Sequence, residues 1–415
     1  MSRFGSEPLG SRTGDRYRTV PEASIIQMLL LAGFAFELAK GREAEAAKRT
    51  AAALERWIAT GLGFCLDTPG KRLFDPVEVL NFAKRAGLLG HDTFWRDHWV
   101  STGRALVASG PGSRPGNFAV SFNRCFDLQH FAPGSALRLR LPLPLTGATD
   151  IRPVIAPSLS ARIAFGDGRM EVRLDRPRDP IVDVGLDLVF ADAGRSMPDA
   201  ARPLDAAETE LYLRPSEGLI RVSPRIRALA DRLVGKAPTP RQKLAAFWDF
   251  MLDHLVLGHV HYDQVPSDAP GEWVLDQRWC DCQLGAALLV SLCRASSIPA
   301  RILGGHVLYP LAPFNHYWAE AWVDGHGWFP MDLMTWDLSV AGEDHAWRGH
   351  FFGAIDSRLV TQCLPLGFTG PMSVRFPAGW QMVQTRAEAG IDIAFTDHDG
   401  TLIYRDRVSV RRLTA

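Results

Sequence analysis

The sequence has no surplus of either charge: 46 Lys and Arg balance 46 Asp and Glu over 415 residues. A protein whose main work is holding nucleic acid or an anionic membrane needs excess positive charge, so that class is set aside. Cysteine is sparse, with six residues at 65, 125, 280, 282, 293 and 363. That is too dilute for a disulfide-stapled secreted scaffold, and most are expected as buried hydrophobes. The most apolar stretch, Ile25–Leu38, is short for a membrane span and is broken by Gln27 and Glu37, so it reads as a buried helix. The opening MSRFGSEPLGSRTGDRYRTVPE lacks the apolar run and cleavage site of a signal peptide, and a reducing cytoplasm is the expected compartment. There is no fixed-period repeat and no phosphate-loop pattern. What remains is a globular composition, 47% hydrophobic and 22% charged, with ample material for a core.

The pattern of that material divides the chain. Residues 1–20 read as a flexible tail. Residues 21–110 form a helical region: Glu22–Lys40 and Arg42–Thr60 hold few helix breakers, Asp75-Pro76 is a cap-and-proline start, and a last helix is expected from Thr93 to Ala108. A Gly/Pro/Ser break follows at 109–116. Over 115–210 the hydrophobic period changes to two. Phe118, Val120 and Phe122 alternate with small or polar residues, as do Leu137, Leu139, Leu141 and Leu143, and Gly166-Asp167-Gly168 marks a hairpin. This predicts an antiparallel β domain ending in a linker at 192–210. Ser223-Pro224 and Thr239-Pro240 restart helices in a catalytic domain expected over 215–358. Residues 360–415 read as a C-terminal β segment with a turn at Asp399-Gly400. The fold class is α+β.

Chemistry concentrates where tryptophan does: seven of the 12 Trp lie between Trp273 and Trp347. In WCDCQLGAALLVSLCRASSIPARI (279–302), Asp281 can cap a helix whose first residue is Cys282, and Pro299 cannot continue it. The free N–H groups and dipole of a helix N-terminus favour a thiolate, so a lowered thiol pKa is expected. The Cys282 N–H can also face a developing oxyanion. In NHYWAEAWVDGHGWFPMDL (315–333), alternation puts His316, Trp318, Glu320 and Trp322 on one strand face, and Trp328, Pro330 and Asp332 on one face of the returning strand. The turn between them, Asp324-Gly325-His326-Gly327, leaves His326 in solvent. Only an odd loop, or a bulge, brings both even-numbered sets to the same side and makes His316 and Asp332 neighbours. The set then comprises a nucleophile (Cys282), a base (His316) and a carboxylate (Asp332) that fixes the imidazole tautomer. Trp279, Trp318, Trp322 and Trp328 are expected to wall the cleft and exclude water, with Trp336 and Trp347 as core filling.

These three ordered segments resemble the transglutaminase-like superfamily, whose members include transglutaminases, bacterial cysteine proteases and a peptide-N-glycanase. Its pattern is a Cys opening an apolar helix that ends in Arg-Ala-x-Gly-Ile-Pro-Ala-Arg, then a His leading a Trp-rich strand, a Gly-x-Gly-Trp and an Asp. Here Cys282 leads into LCRASSIPAR ending at Arg301, His316 leads HYWAEAWV, Gly325-His326-Gly327-Trp328 follows, and Asp332 closes the set. The resemblance implies a papain-like catalytic domain with the Cys helix packed on an antiparallel sheet. It implies acyl transfer from a peptide or protein amide through a thioester on Cys282, with no cofactor, no nucleic acid and no membrane. Ser297 stands where Gly is usual, Cys280 where Gly is common, and Leu333-Met334 where Pro-Thr is usual.

Rival readings remain beside it. Cys280, Cys282, His259, His261, His306 and His316 offer zinc ligands, although Cys-x-Cys is not the spacing of structural zinc sites and no metal is expected. Glu320 is either a second polar group of the cleft or a surface carboxylate. Water is the expected acceptor. A transglutaminase with an amine acceptor uses the same triad, and a catalytically silent interaction module is the alternative of a different class.

Overall fold

The computed structural model describes residues 19–31, 42–75, 78–79, 82, 116–127, 136–145, 147–156, 159–166, 168–175, 181–192, 202–237, 239–258, 260, 265–266, 268–309, 313–338, 346–356, 358–364, 381–387, 390–396 and 402–413. The helix expected from Thr93 to Ala108, Pro76, His259, His261 and the Asp399-Gly400 turn lie outside these residues. The first unit comprises β1 (Val20–Pro21), α1 (Glu22–Leu31), α2 (Glu43–Ala59), β2 (Cys65–Leu66) and β3 (Arg72–Phe74). Ile25 and Leu29 of α1 meet Ala53, Leu54 and Trp57 of α2 in a small core of their own, closed by Phe74.

The period-two region forms β4 (Gly116–Asp127), β5 (Ala136–Pro142), β6 (Ala148–Ile155), β7 (Ala161–Gly166), β8 (Arg169–Asp175) and β9 (Ile181–Asp192). Phe118, Val120 and Phe122 of β4 and Val184, Leu186 and Leu188 of β9 face Leu139, Leu141, Met170 and Val172 across a sandwich core. The expected hairpin is present, with Gly166 opposite Arg169.

The linker reading of 192–210 needs correction at its end, because α3 (Ala206–Leu213) starts there. A capping box supports it: the Asp205 carboxylate accepts from the Glu208 N–H, and the Glu208 carboxylate accepts from the Asp205 N–H. Then come β10 (Ser216–Glu217), β11 (Ile220–Arg221), α4 (Pro224–Val234), α5 (Pro240–His254), β12 (Val256–Leu257), α6 (Pro270–Gln277), β13 (Trp279–Cys280) and α7 (Cys282–Ala295). Helices α4 and α5 begin at the two expected caps, Ser223 and Thr239. They are followed by β14 (Ala300–Val307), β15 (Phe314–Val323), β16 (Gly327–Met331), α8 (Thr335–Leu338), β17 (Arg358–Leu364), β18 (Gln381–Ala387), β19 (Gly390–Thr396) and β20 (Leu402–Leu413).

Strand pairing crosses the boundaries drawn from sequence. The four-stranded sheet runs β16-β15-β14-β17, so β17 belongs with the sheet that carries His316. The six-stranded sheet runs β18-β19-β20-β4-β9-β6, so the last three strands complete the β sandwich rather than a segment of their own. Helix α7 is buried from Gln283 to Ala295 and packs its apolar positions against Tyr317, Ala319 and Ala321 of β15. Its end is stapled by Arg294, which donates to the Ala300 carbonyl (3.0 and 2.8 Å) and the Arg214 carbonyl (2.7 Å). Among the described residues no helix is long and apolar enough to cross a membrane.

Candidate active site

Cys282 is the first residue of α7. The Asp281 carboxylate accepts from the Leu284 N–H at 2.8 Å, and the Gly285 N–H bonds the Asp281 carbonyl. This cap satisfies a donor deeper in the first turn and leaves the Cys282 N–H with no acceptor among the described residues. The half-buried thiol accepts a hydrogen bond from the Tyr317 N–H, so the sulfur lies at the peptide that joins His316 to Tyr317. The expected lowering of the thiol pKa is reversed. Burial is the largest influence, the Asp281 charge adds to it, and together they push the thiol well above its ordinary value despite the Tyr317 N–H. The helix terminus is present, but desolvation outweighs it.

The hairpin has the odd loop that the chemistry requires. Val323 pairs with Gly327, Trp322 with Trp328 and Glu320 with Pro330, so even-numbered residues of β15 and β16 share a side. Asp332 follows the last pair, Ala319–Met331, and is therefore diagonal to His316. His316 Nε2 and Asp332 Oδ1 are 2.7 Å apart, both side chains nearly fully buried. The same oxygen accepts from the Met334 N–H at 2.8 Å, while Asp332 Oδ2 accepts from Arg358 Nη2 at 3.1 Å. Burial opposes the Asp332 charge. His316, Arg358 and the Met334 N–H outweigh it and hold the carboxyl below its usual range.

Arg358 and its partners are functional neighbours that sequence reasoning missed. The other arm of Arg358 donates to Asp356, which also accepts the Tyr309 hydroxyl. His350 lies close by, and burial together with the Arg358 charge lowers its pKa to about 4. No local signal marks this set, because Arg358 reaches Asp332 only through the pairing of β17 with β14. That pairing needs Gly305, opposite His316 on β14. A Cβ there would lie 1.9 Å from the Leu359 carbonyl oxygen.

The structure separates the aromatic set. Trp318 is fully buried beside His316, the rings near parallel with centroids 6.4 Å apart. Trp279, in β13, directly precedes the nucleophile segment and is buried. Trp322 and Trp328 pack instead at the far end of β15, edge to face at 5.4 Å, with Tyr212 of α3 against Trp328 at 4.7 Å. Six residues of strand, about 20 Å, separate Trp322 from His316, so that pair does not wall the thiol. Glu320 is neither cleft group nor surface carboxylate. It is buried and accepts from Arg301 Nε and Nη2 at 2.9 and 2.7 Å, and the Arg301 guanidinium lies 3.8 Å over the Trp328 ring.

Of the rival zinc set, Cys280 is buried in β13, and His306 meets the Phe122 ring at 5.4 Å. Among the described residues no group of three or more His, Cys, Asp or Glu is placed to hold a metal ion.

Comparison with known proteins bears on this geometry. Residues 227–333 match the family model described as the transglutaminase-like superfamily. A cysteine-protease candidate from Cytophaga hutchinsonii is similar at 16% identity, with 73% of this chain and 93% of that one covered and a TM-score of 0.46. The periplasmic domain of TgpA from Pseudomonas aeruginosa is similar at 20% identity, with 60% and 96% covered and a TM-score of 0.30. Red sea bream transglutaminase is similar at 9% identity, with 68% and 75% covered and a TM-score of 0.28. No curated protein matches the chain. The matched span, which contains the thiol helix, the histidine strand and the aspartate that follows β16, is where this chain is similar to the transglutaminase-like superfamily.

Proposed function

We propose that the protein is a thiol-dependent hydrolase of peptide or protein amides, with Cys282 as nucleophile, His316 as base and Asp332 as orienting carboxylate. The observation that carries this is the 2.7 Å bond between His316 Nε2 and Asp332 Oδ1, next to a thiol held by the amide of Tyr317. With Nε2 bonded to Asp332, the mechanism uses Nδ1 toward the thiol. Because burial favours the neutral thiol, the proton moves to His316 as sulfur attacks the carbonyl carbon. The C–S bond forms, the carbonyl π pair moves to oxygen, and the Cys282 N–H faces that oxyanion. Collapse breaks the C–N bond, His316 protonates the leaving amine, and a thioester remains. His316 then takes a proton from water, whose oxygen attacks the thioester carbon; the C–S bond breaks, the acid leaves, and His316 returns its proton to the sulfur.

A screen of peptide and glutamine-amide substrates, with and without primary amines, tests this directly. Amide cleavage independent of added amine and absent from Cys282→Ala is the expected result. Products that form only with amine make the protein a transglutaminase. Turnover by Cys282→Ala equal to that of the wild type removes the thiol mechanism altogether.

A further inference from the structure

We infer that Arg358 is a positioning residue of this site, joined through Asp332 to His316 and fixed from behind by Asp356 and Tyr309. The inference rests on the reading of Cys282, His316 and Asp332 as the reacting set, and it adds a residue outside the 227–333 family match.

The geometry carries it. Asp332 presents two oxygens, and each has a separate task. Oδ1 takes His316 Nε2 at 2.7 Å and the Met334 N–H at 2.8 Å, and Oδ2 takes Arg358 Nη2 at 3.1 Å. A carboxylate gripped at both oxygens cannot rotate, so the imidazole bonded to it keeps its plane. The Asp332 backbone is pinned as well, its N–H to the Phe351 carbonyl and its carbonyl to the Thr335 N–H, both at 3.1 Å. Arg358 is itself buried, its guanidinium 5.3 Å from the Phe351 ring and 5.7 Å from that of Tyr309.

A buried guanidinium needs a carboxylate, and Asp356, held by the Tyr309 hydroxyl, already supplies one. The second arm toward Asp332 is therefore not required to neutralise Arg358. It carries positive charge to the carboxylate that orients the histidine. The groups coupled to this carboxylate are His316 from β15, Arg358 from β17, Cys282 from α7 and Asp356 from a flanking loop, while Tyr309 and His350 face Arg358.

Loss of the Arg358 charge leaves Asp332 buried with less compensation, so it takes up a proton at higher pH and releases its hold on the imidazole. Loss of the Asp356 charge acts in the opposite sense, since Arg358 then has one carboxylate to serve.

The experiment is the pH profile of Cys282 carboxamidomethylation by iodoacetamide, followed by mass spectrometry on the full chain. In Arg358→Met the acid limb of the profile is expected to move up by about one pH unit, with about tenfold slower alkylation at the old midpoint. In Asp356→Asn it is expected to move down. Arg358→Lys, which keeps the charge and loses the fork, should fall between wild type and Arg358→Met. A profile unchanged in shape in both Arg358→Met and Asp356→Asn, with only the melting temperature lowered, overturns the inference. If Arg358→Met fails to fold, Asp356→Asn decides: a downward shift supports the inference and no shift overturns it. A Cys282 that alkylates as fast in His316→Ala as in the wild type overturns instead the reading of the site itself, because His316 is then not the base.

Discussion

A buried carboxylate meets an arginine beside each end of β15, and the two pairs differ in kind. At one end Arg301 gives both its bonds to a single oxygen of Glu320 and lies on Trp328, and Tyr212 and Trp322 complete an aromatic enclosure. At the other end Arg358 shares Asp332 with a histidine, and the histidine stands beside a thiol. Both pairs solve the same problem, a charge removed from water. Arg301 engages Glu320 at one oxygen beside the Trp328 ring, whereas Asp332 passes the influence of Arg358 to His316. A buried ion pair is thus structural or chemical according to what the remaining lone pair touches.

The strongest way to break this comparison is to neutralise each carboxylate in turn. Asp332→Asn is expected to slow amide turnover by about 10⁴-fold, because the amide no longer fixes the tautomer that leaves Nδ1 basic. Glu320→Gln is expected to leave Cys282 alkylation within about twofold of wild type, since its carboxylate is held by Arg301 near the far end of β15 from His316. Equal losses in the two variants would erase the distinction.

Stability sharpens it next. Arg301→Ala strands the Glu320 charge in a buried site, and a loss of about 3 kcal/mol in urea unfolding is expected at neutral pH. A loss within about 0.5 kcal/mol would mean that solvent reaches the pair.

Acid should act at His306, away from both pairs, as well as at His350 beside Arg358. The His306 ring is buried, neither nitrogen has a partner among the described residues, and burial with the nearby Arg124 charge lowers its pKa to about 4. The unfolded chain binds this proton near pH 6.5 and the folded chain near pH 4, so stability falls as pH drops between those values. His306→Phe is expected to remove about 2 kcal/mol of the difference in unfolding free energy between pH 7 and pH 5. An unchanged pH dependence would locate the acid sensitivity elsewhere.

The smallest effect is expected at the turn that feeds β14. Ser297 has φ of 60°, the left-handed region that favours glycine. Ser297→Gly should raise stability by about 1 kcal/mol and leave the alkylation profile of Cys282 untouched. Destabilisation would show that the serine side chain makes a compensating contact.

The parts of this arrangement that were legible in sequence are those with local causes. Asp281 is an N-cap one residue before Cys282, and the three residues between Val323 and Gly327 set the side on which Asp332 emerges. Ser223 and Thr239 likewise fix their helices through side-chain bonds to nearby N–H groups. The arginine partners of Asp332 and Glu320 were not legible, since Arg358 is 26 residues from one and Arg301 is 19 residues from the other. The thiol pKa was misjudged for a related reason. A helix N-terminus can be seen in a sequence, whereas the burial that overrides it is a property of the assembled core.

The position of β4 has a consequence for biosynthesis. It lies between β9, which follows soon after it, and β20, which is the last strand described, so the thiol domain is an excursion inside the sandwich. A nascent chain that has not yet delivered residues 402–413 leaves the edge of β4 unpaired, with Phe118, Val120 and Phe122 only partly covered. The excursion can fold while that edge waits, and closure of the sandwich then reports that residues 402–413 have been made.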